Sequence, residues 1–277
     1  MSELIDLQEH CYQLSFLLAE LPGRSRGNLS WLTAADWLNT AAGVQEVKID
    51  TSRFDETVMW CESVWSYESK RSKLLTQVGT QLTIFNFVWG GFETVIKIIA
   101  PPYVPRHIKR RRTVIDDALF YLKNEYEPTL RVALYDDVIA KLRSILKEHP
   151  HYDLDDEFKE HSFSGISGVG AHIVRIIRND FAHGSARLPT PHNWESDKML
   201  NSERPYPELI GVSSLVLLLT IQMLLLACLR DKEIKICYFR GTDGSYYDTE
   251  VQIALRVLHL DVHSPHQDQL LLFGGRT

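Results

Sequence analysis

The sequence predicts a mainly α-helical bundle followed by a small C-terminal β-hairpin. Three observations predict it. Apolar residues recur every three or four positions through most of the chain, proline clusters separate these runs, and two strand-like segments within residues 234–253 flank the turn Gly241-Thr-Asp-Gly244. The 277 residues are 44% hydrophobic, enough for one large core or two smaller ones, and 24% charged, which excludes wholesale disorder.

The elements follow in order. Leu4, Leu7, Cys11, Leu14, Leu18 and Leu21 predict a helix over 3–21, ended by Pro22 and Gly23. Ser30 is placed to cap a short helix carrying Trp31, Ala34, Ala35 and Leu38, with Gly43 as its stop and an extended stretch from Val44 to Ile49. Helical pattern resumes near Asp55, in two pieces, the stronger running from Leu74 to Ile99 until Pro101, Pro102 and Pro105 break it. A helix with Val114, Ala118, Leu119 and Leu122 inward comes next, then one from Pro128 through Leu146 that ends before Pro150. Residues 151–161 read as an acidic, polar loop, Ser167–Phe181 as a helix stopped by Gly184, and 185–207 as a loop. An apolar helix over 208–230 precedes the hairpin, whose strands are expected at Ile234–Phe239 and Ser245–Ile253 around Gly241–Gly244.

Several classes of function are excluded at this level. A net charge of −6 is wrong for a protein that coats nucleic acid with its whole surface, so any RNA contact must come from a local patch. Cys11, Cys61, Cys228 and Cys237 lack zinc or disulfide spacing and read as buried thiols of a reducing cytoplasm. The acidic beginning is unlike a secretory signal. Ile210–Leu229 has the length of a bilayer span, but Ser213, Ser214, Thr220 and Gln222 interrupt it, and the expectation is a buried bundle helix and no membrane partner.

The chemistry is concentrated in Arg178-Asn179-Asp180-Phe181-Ala182-His183, at the end of an expected helix. RNA carries its own nucleophile, the 2′-hydroxyl, so its cleavage requires a proton carrier of near-neutral pKa and a fixed cation for the developing pentacoordinate phosphate. Histidine and the bidentate fork of arginine suit these two tasks, and no metal or other cofactor is needed. Arg175 and Arg178, three apart, share a helix face, whereas His183 follows Arg178 by five, so the helix must end or tighten there for the two to cooperate.

This hexapeptide resembles the signature of the HEPN (higher eukaryotes and prokaryotes nucleotide-binding) domains: Arg, then Asn, Asp or His, then three residues, then His. The aromatic-and-acid segment Phe87-Val-Trp89-Gly-Gly-Phe92-Glu93 is similar to a stretch on an early helix of many such domains. The resemblance covers about 71–232. It implies a HEPN-like helical bundle with an N-terminal helical extension (1–70) and a small C-terminal appendage (233–277). It further implies a metal-independent endoribonuclease that leaves a cyclic phosphate and works as a homodimer with a composite site. A role as a toxin or antiviral defence effector, with an antitoxin or other defence-system protein as partner, goes with it. Arg178 is then expected to hold the scissile phosphate, His183 to transfer the proton and Asn179 to orient the motif, with Glu93 and Asp180 as supporting residues. Ser185 stands where some family toxins carry a tyrosine that an antitoxin nucleotidylates, so that control is not expected here.

The remaining polar segments carry weaker expectations. Arg175 and the basic run Lys109, Arg110, Arg111 and Arg112 are candidate RNA contacts, with an exposed helix start as the alternative. Gly165-Ile-Ser-Gly168-Val-Gly170 lacks the lysine of a phosphate loop and reads as a flexible helix entry. His149, His151, His161 and His172 among acids show no convincing ligand spacing and read as a solvated loop, so no metal is expected. Trp60, Trp65 and Tyr67 read as core or interface aromatics. Two rivals to the nuclease remain: a HEPN-type module that binds RNA or nucleotide without cutting, and a helical oligomerisation scaffold.

Overall fold

The computed structural model describes residues 3–23, 25–109, 111–126, 132–148, 154–159, 161, 163–186, 188–191, 205–240 and 246–261. Within these the chain is mainly helical: α1 (Leu7–Glu20), α2 (Trp31–Ala42), α3 (Glu62–Ile99), α4 (Val114–Glu125), α5 (Tyr135–Glu148), α6 (Gly165–Ala182), α7 (Pro205–Cys228) and α8 (Val251–Val257). Two antiparallel two-stranded ribbons accompany them, β1 (Ser25–Arg26) with β2 (Leu29–Ser30) and β3 (Lys235–Arg240) with β4 (Tyr246–Glu250).

The helix starts follow their caps. Asp6 Oδ1 accepts from Gln8 N at 2.8 Å, opening α1. Ser30 and Thr33 form a reciprocal capping box at α2, and Thr113 and Asp116 form another at α4. Ser30 thus caps as expected, and it also ends β2 of a small ribbon that the sequence pattern does not predict.

α3 is a single 38-residue helix, not two pieces, and it passes unbroken through residues 70 and 71, where a regional boundary was expected. Among the described residues the strand-like stretch before it has no strand partner. Instead the N–H groups of Val47, Ile49 and Thr51 donate to the hydroxyls of Thr80, Thr76 and Ser72 on α3, at 2.9, 3.0 and 3.0 Å. The spacings agree: four helical residues rise about 6 Å, and two extended residues about 6.6 Å. Every second amide therefore meets a hydroxyl one turn further back along α3. α3 ends at Ala100, which adopts a left-handed φ of 51° ahead of Pro101.

α7 lies at the centre, packed by α3, α5 and α6 and touched by α1, α4 and α8. Val216, Leu217, Leu218 and Leu219 are fully buried, each contributing roughly 1.5–3 kcal/mol relative to exposure. The polar interruptions are satisfied internally. Ser213, Ser214 and Thr220 donate to the carbonyls four residues earlier at 2.7, 3.1 and 2.6 Å. By length and composition α3 and α7 could each cross a membrane; the most apolar window of α7 is 89% buried inside the fold.

Gln222 anchors a second buried polar set. Its Oε1 accepts from His10 Nε2 of α1 at 2.8 Å, and its Nε2 donates to Leu255 O of α8 at 2.6 Å and to His259 Nδ1 at 3.0 Å. His259 Nε2 in turn donates to Ala133 O at 2.9 Å. Burial pushes His10 down to about 3, with the neighbouring His259 adding to the fall, and burial likewise lowers His259 to about 4. The C-terminal region is bound in further by the Leu4–Leu260 bridge and by Asp261 N donating to Glu3 O at 2.8 Å. The hairpin is shorter than expected: β4 stops at Glu250, and Val251–Val257 turns into α8, burying Val251, Ala254 and Leu255. The Gly241–Gly244 turn lies outside the described residues.

Candidate functional site

α6 positions the motif. Val169, Ile173, Val174 and Ile177 face the core, and the helix begins two residues earlier than expected, at Gly165. The glycines read as a flexible entry are in fact packed helix. A Cβ at Gly170 would collide with Ile139 of α5, with Val216 of α7 (2.8 Å) and with Tyr135 Oη (2.9 Å). Glycine is what lets α6 approach both neighbours.

The C-terminal end closes with a Schellman arrangement. Gly184 takes a left-handed φ of 68°, its N–H reaches Phe181 O at 3.3 Å, and Ser185 N donates to Asp180 O at 2.9 Å. Asp180 supports the motif here through its backbone carbonyl, which also accepts from Ala186 N at 3.1 Å. Phe181 packs edge-on against Tyr206 at the start of α7, at 6.1 Å between centroids. The helix stays regular through Ala182, and His183 is its cap residue. Arg178, Asn179 and His183 therefore occupy the last turn and a half, with Asn179 and His183 exposed.

Arg178 turns towards α3. Its guanidinium carbon lies 5.3 Å from the centroid of the Trp89 ring, and Nη1 is 3.5 Å from Asn179 Oδ1. Trp89 Nε1 donates to Glu93 Oε1 at 2.9 Å, so Glu93 is joined to the motif through the indole rather than by direct contact. Its other oxygen faces Lys97 Nζ at 3.7 Å. Among the described residues no carboxylate pairs with Arg178.

Arg175 does not share this environment, although it is one turn away. Its Nη1 donates to Asp116 Oδ1 at 2.6 Å and its Nη2 to His172 Nδ1 at 2.9 Å. Asp116 also takes Lys109 Nζ at 2.7 Å, and Asp117 takes Arg112 Nη1 at 2.7 Å. Burial alone would raise the Asp116 carboxyl, but Lys109, the Thr113 N–H and Arg175 hold it below the usual range. Three of the expected RNA contacts, Arg175, Lys109 and Arg112, are thus paired with two buried aspartates, Asp116 being shared by Lys109 and Arg175, and brace α4 against α6 and the loop before α4. Lys109 additionally lies over Phe163 at 3.8 Å, and Arg112 over Tyr103 at 3.7 Å. Arg111 is exposed, and Arg110 lies outside the described residues.

The structure assembles a cluster that the sequence spacing did not suggest. Glu157, at the 3-10 turn Asp155–Phe158, meets His161 and His172 so that one donor atom of each lies within 4.8 Å of the others. Because a guanidinium only donates, His172 Nδ1 accepts from Arg175, which leaves the ring proton on Nε2 to donate to Glu157 Oε2 at 2.9 Å. Burial lowers the His172 pKa, with Arg175 and His161 acting in the same sense against the Glu157 hydrogen bond. His149 and His151, also in that polar stretch, lie outside the described residues.

Other expectations settle plainly. Trp60 and Trp65 are surface residues, 87% and 57% exposed, and not core. Cys11 is buried as expected, whereas Cys61 is exposed. A cleft of about 340 Å³ opens between Arg26, Lys97, Tyr103 and Val114, and none of the motif residues line it. No known family, curated protein or solved structure matches the chain.

Proposed function

We propose that the chain is a HEPN-type, metal-independent endoribonuclease that acts in the cytoplasm as a homodimer. The observation that carries the reading is the exposed end of α6, where Arg178, free of any described carboxylate, and His183 stand within two turns of one another. Arg178 is backed by the Trp89 ring, which Glu93 orients. An indole face restrains a guanidinium without neutralising it, leaving its donor edge for a phosphate. Asn179 sits beside Arg178, with its Oδ1 3.5 Å from Nη1.

In this reading Arg178 binds the non-bridging oxygens of the scissile phosphate. A histidine takes the 2′-hydroxyl proton as that oxygen attacks phosphorus, the P–O5′ bond breaks, and a second histidine protonates the leaving 5′-oxygen. The products are a 2′,3′-cyclic phosphate and a 5′-hydroxyl. Each chain brings one motif histidine, so base and acid come from the His183 residues of two protomers. Self-inflicted RNA damage of this kind fits a toxin or defence effector held in check by a partner protein.

The test is RNA cleavage in EDTA by the wild type and His183→Ala. The expected loss is about 10²–10⁴-fold, the usual contribution of general acid–base catalysis, with the dimer and unfolding curve unchanged. Equal cleavage by the two proteins overturns the proposal.

A further inference from the structure

We propose that Glu157, His161 and His172 form a binding site for one zinc-class divalent cation, apart from the Arg178–His183 motif. Two imidazoles and a carboxylate make up a borderline donor set of the kind that suits zinc and, with it, cobalt(II). Two of the three donor pairs stand near the spacing of a bound ion, and all three donor atoms lie within 4.8 Å of one another. Tetrahedral ligands at about 2.0–2.1 Å from zinc stand roughly 3.3–3.4 Å apart. His161 Nε2 is already 3.3 Å from Glu157 Oε2, and His172 Nε2 is 2.9 Å from it, so a small opening admits the ion.

Two further features favour this use. His161 Nε2 is buried and makes no hydrogen bond among the described residues; its 3.3 Å approach to Glu157 Oε2 is an ion pair only when the ring is protonated, so this nitrogen is open to a ligand. Phe163 fixes both rings, stacking on His161 at 5.6 Å and meeting His172 edge-on at 5.4 Å, so little ordering is left for a cation to impose. Glu157 and His161, four residues apart, form the local half of the chelate, and α6 delivers His172 across the Gly165 turn. Glu157 remains 37% exposed, which leaves a path for the ion and a water as fourth ligand.

The opposing feature is Arg175, which donates to His172 Nδ1. When the ion takes Nε2, the ring proton passes through solvent from Nε2 to Nδ1, and Arg175 withdraws from the ring. Asp116, at 2.6 Å, retains it. The ion therefore takes the place of two hydrogen bonds of His172, the one from Arg175 and the one to Glu157, without stranding a charge, and it ties Glu157 and His161 to α6.

The experiment titrates the full chain with cobalt(II), followed by its visible absorption, and with zinc against a chelating indicator. One equivalent is expected to bind, with the intense bands of a tetrahedral cobalt site. His161→Ala and His172→Gln should each weaken binding by more than the roughly 10–100-fold typical of losing an outer-sphere partner. His107→Ala, at an exposed histidine outside the cluster, should leave it unchanged. His161 is partly exposed, so its variant retains the fold, which circular dichroism checks. Absence of stoichiometric binding, or binding that His161→Ala leaves intact, overturns the proposal. Neither result bears on cleavage by His183, which is measured in EDTA.

Discussion

Arg175 and Arg178 stand one turn apart on the same helix, and the fold treats them in opposite ways. Arg175 is locked between the buried Asp116 carboxylate and His172. Arg178 rests on an indole and meets no carboxylate among the described residues. The lesson is that a guanidinium in a candidate site is to be judged by what neutralises it. Arg175 belongs to the frame joining α4 and α6, while Arg178 keeps its charge available at an exposed helix end.

The predictions sharpen that contrast, the largest first. Lowering the pH tests the enclosed extreme, the core histidines. His10 and His259 have folded pKa values of about 3 and 4, below the 6.5 of the unfolded chain. Below pH 6.5 the unfolded chain therefore binds protons that the folded one refuses, so their contribution, complete above that pH, is lost as pH falls towards 4. At roughly 1.4 kcal/mol per unit for each group, urea unfolding should lose on the order of 2–4 kcal/mol between pH 6.5 and 5. A flat profile across that window contradicts the Gln222 network.

Removing the shared carboxylate comes next. Asp116→Asn leaves Lys109 and Arg175 without their strongest acceptor and should cost about 1.5–3 kcal/mol in chemical denaturation, the range for hydrogen bonds to charged groups. A change within experimental error would make Arg175 no more structural than Arg178. Gly170→Ala inserts a methyl where α5 and α7 leave no room; about 1–3 kcal/mol of overpacking is expected by the same measurement. The smallest effect on catalysis falls on the indole, whose ring also packs in the core against Phe85 and Phe92. Trp89→Leu removes the Arg178 platform and the partner of Glu93, and a cation–π loss of about 0.5–1 kcal/mol should lower kcat for RNA roughly two- to fivefold.

Much of the fold is legible locally. Ser30, Gly184 and the breaks at Pro22 and Pro101 mark their helix ends because capping and proline sterics act within a few residues. The joining of α3 into one helix is not legible. Its first turns, 62–73, carry no apolar stripe, and the hydroxyls of Ser72, Thr76 and Thr80 serve a segment more than twenty residues away. The site divides in the same way. Arg178, Asn179 and His183 share one short string and can be read together, whereas the fates of Arg175 and Lys109 are set by Asp116. For Arg175 that partner is 59 residues distant in sequence. Glu157, His161 and His172 meet across a turn in which the Ser164 and Gly165 N–H groups donate to His161 O, with Gly165 at φ +60° as the first residue of α6. Periodicity carries no trace of that turn, though a glycine-led helix start beside histidines and acids was a signal worth following.

The most direct measurement sets Arg178→Ala beside Arg175→Ala, each assayed for RNA cleavage in EDTA and for urea unfolding. Arg178→Ala should lose about 10²–10³-fold in kcat, the scale of deleting a donor to a developing oxyanion, with its unfolding midpoint unmoved. Arg175→Ala should lower the midpoint and spare turnover of the folded fraction. The reverse pattern, or equal loss of cleavage in both, would contradict the division of labour along α6.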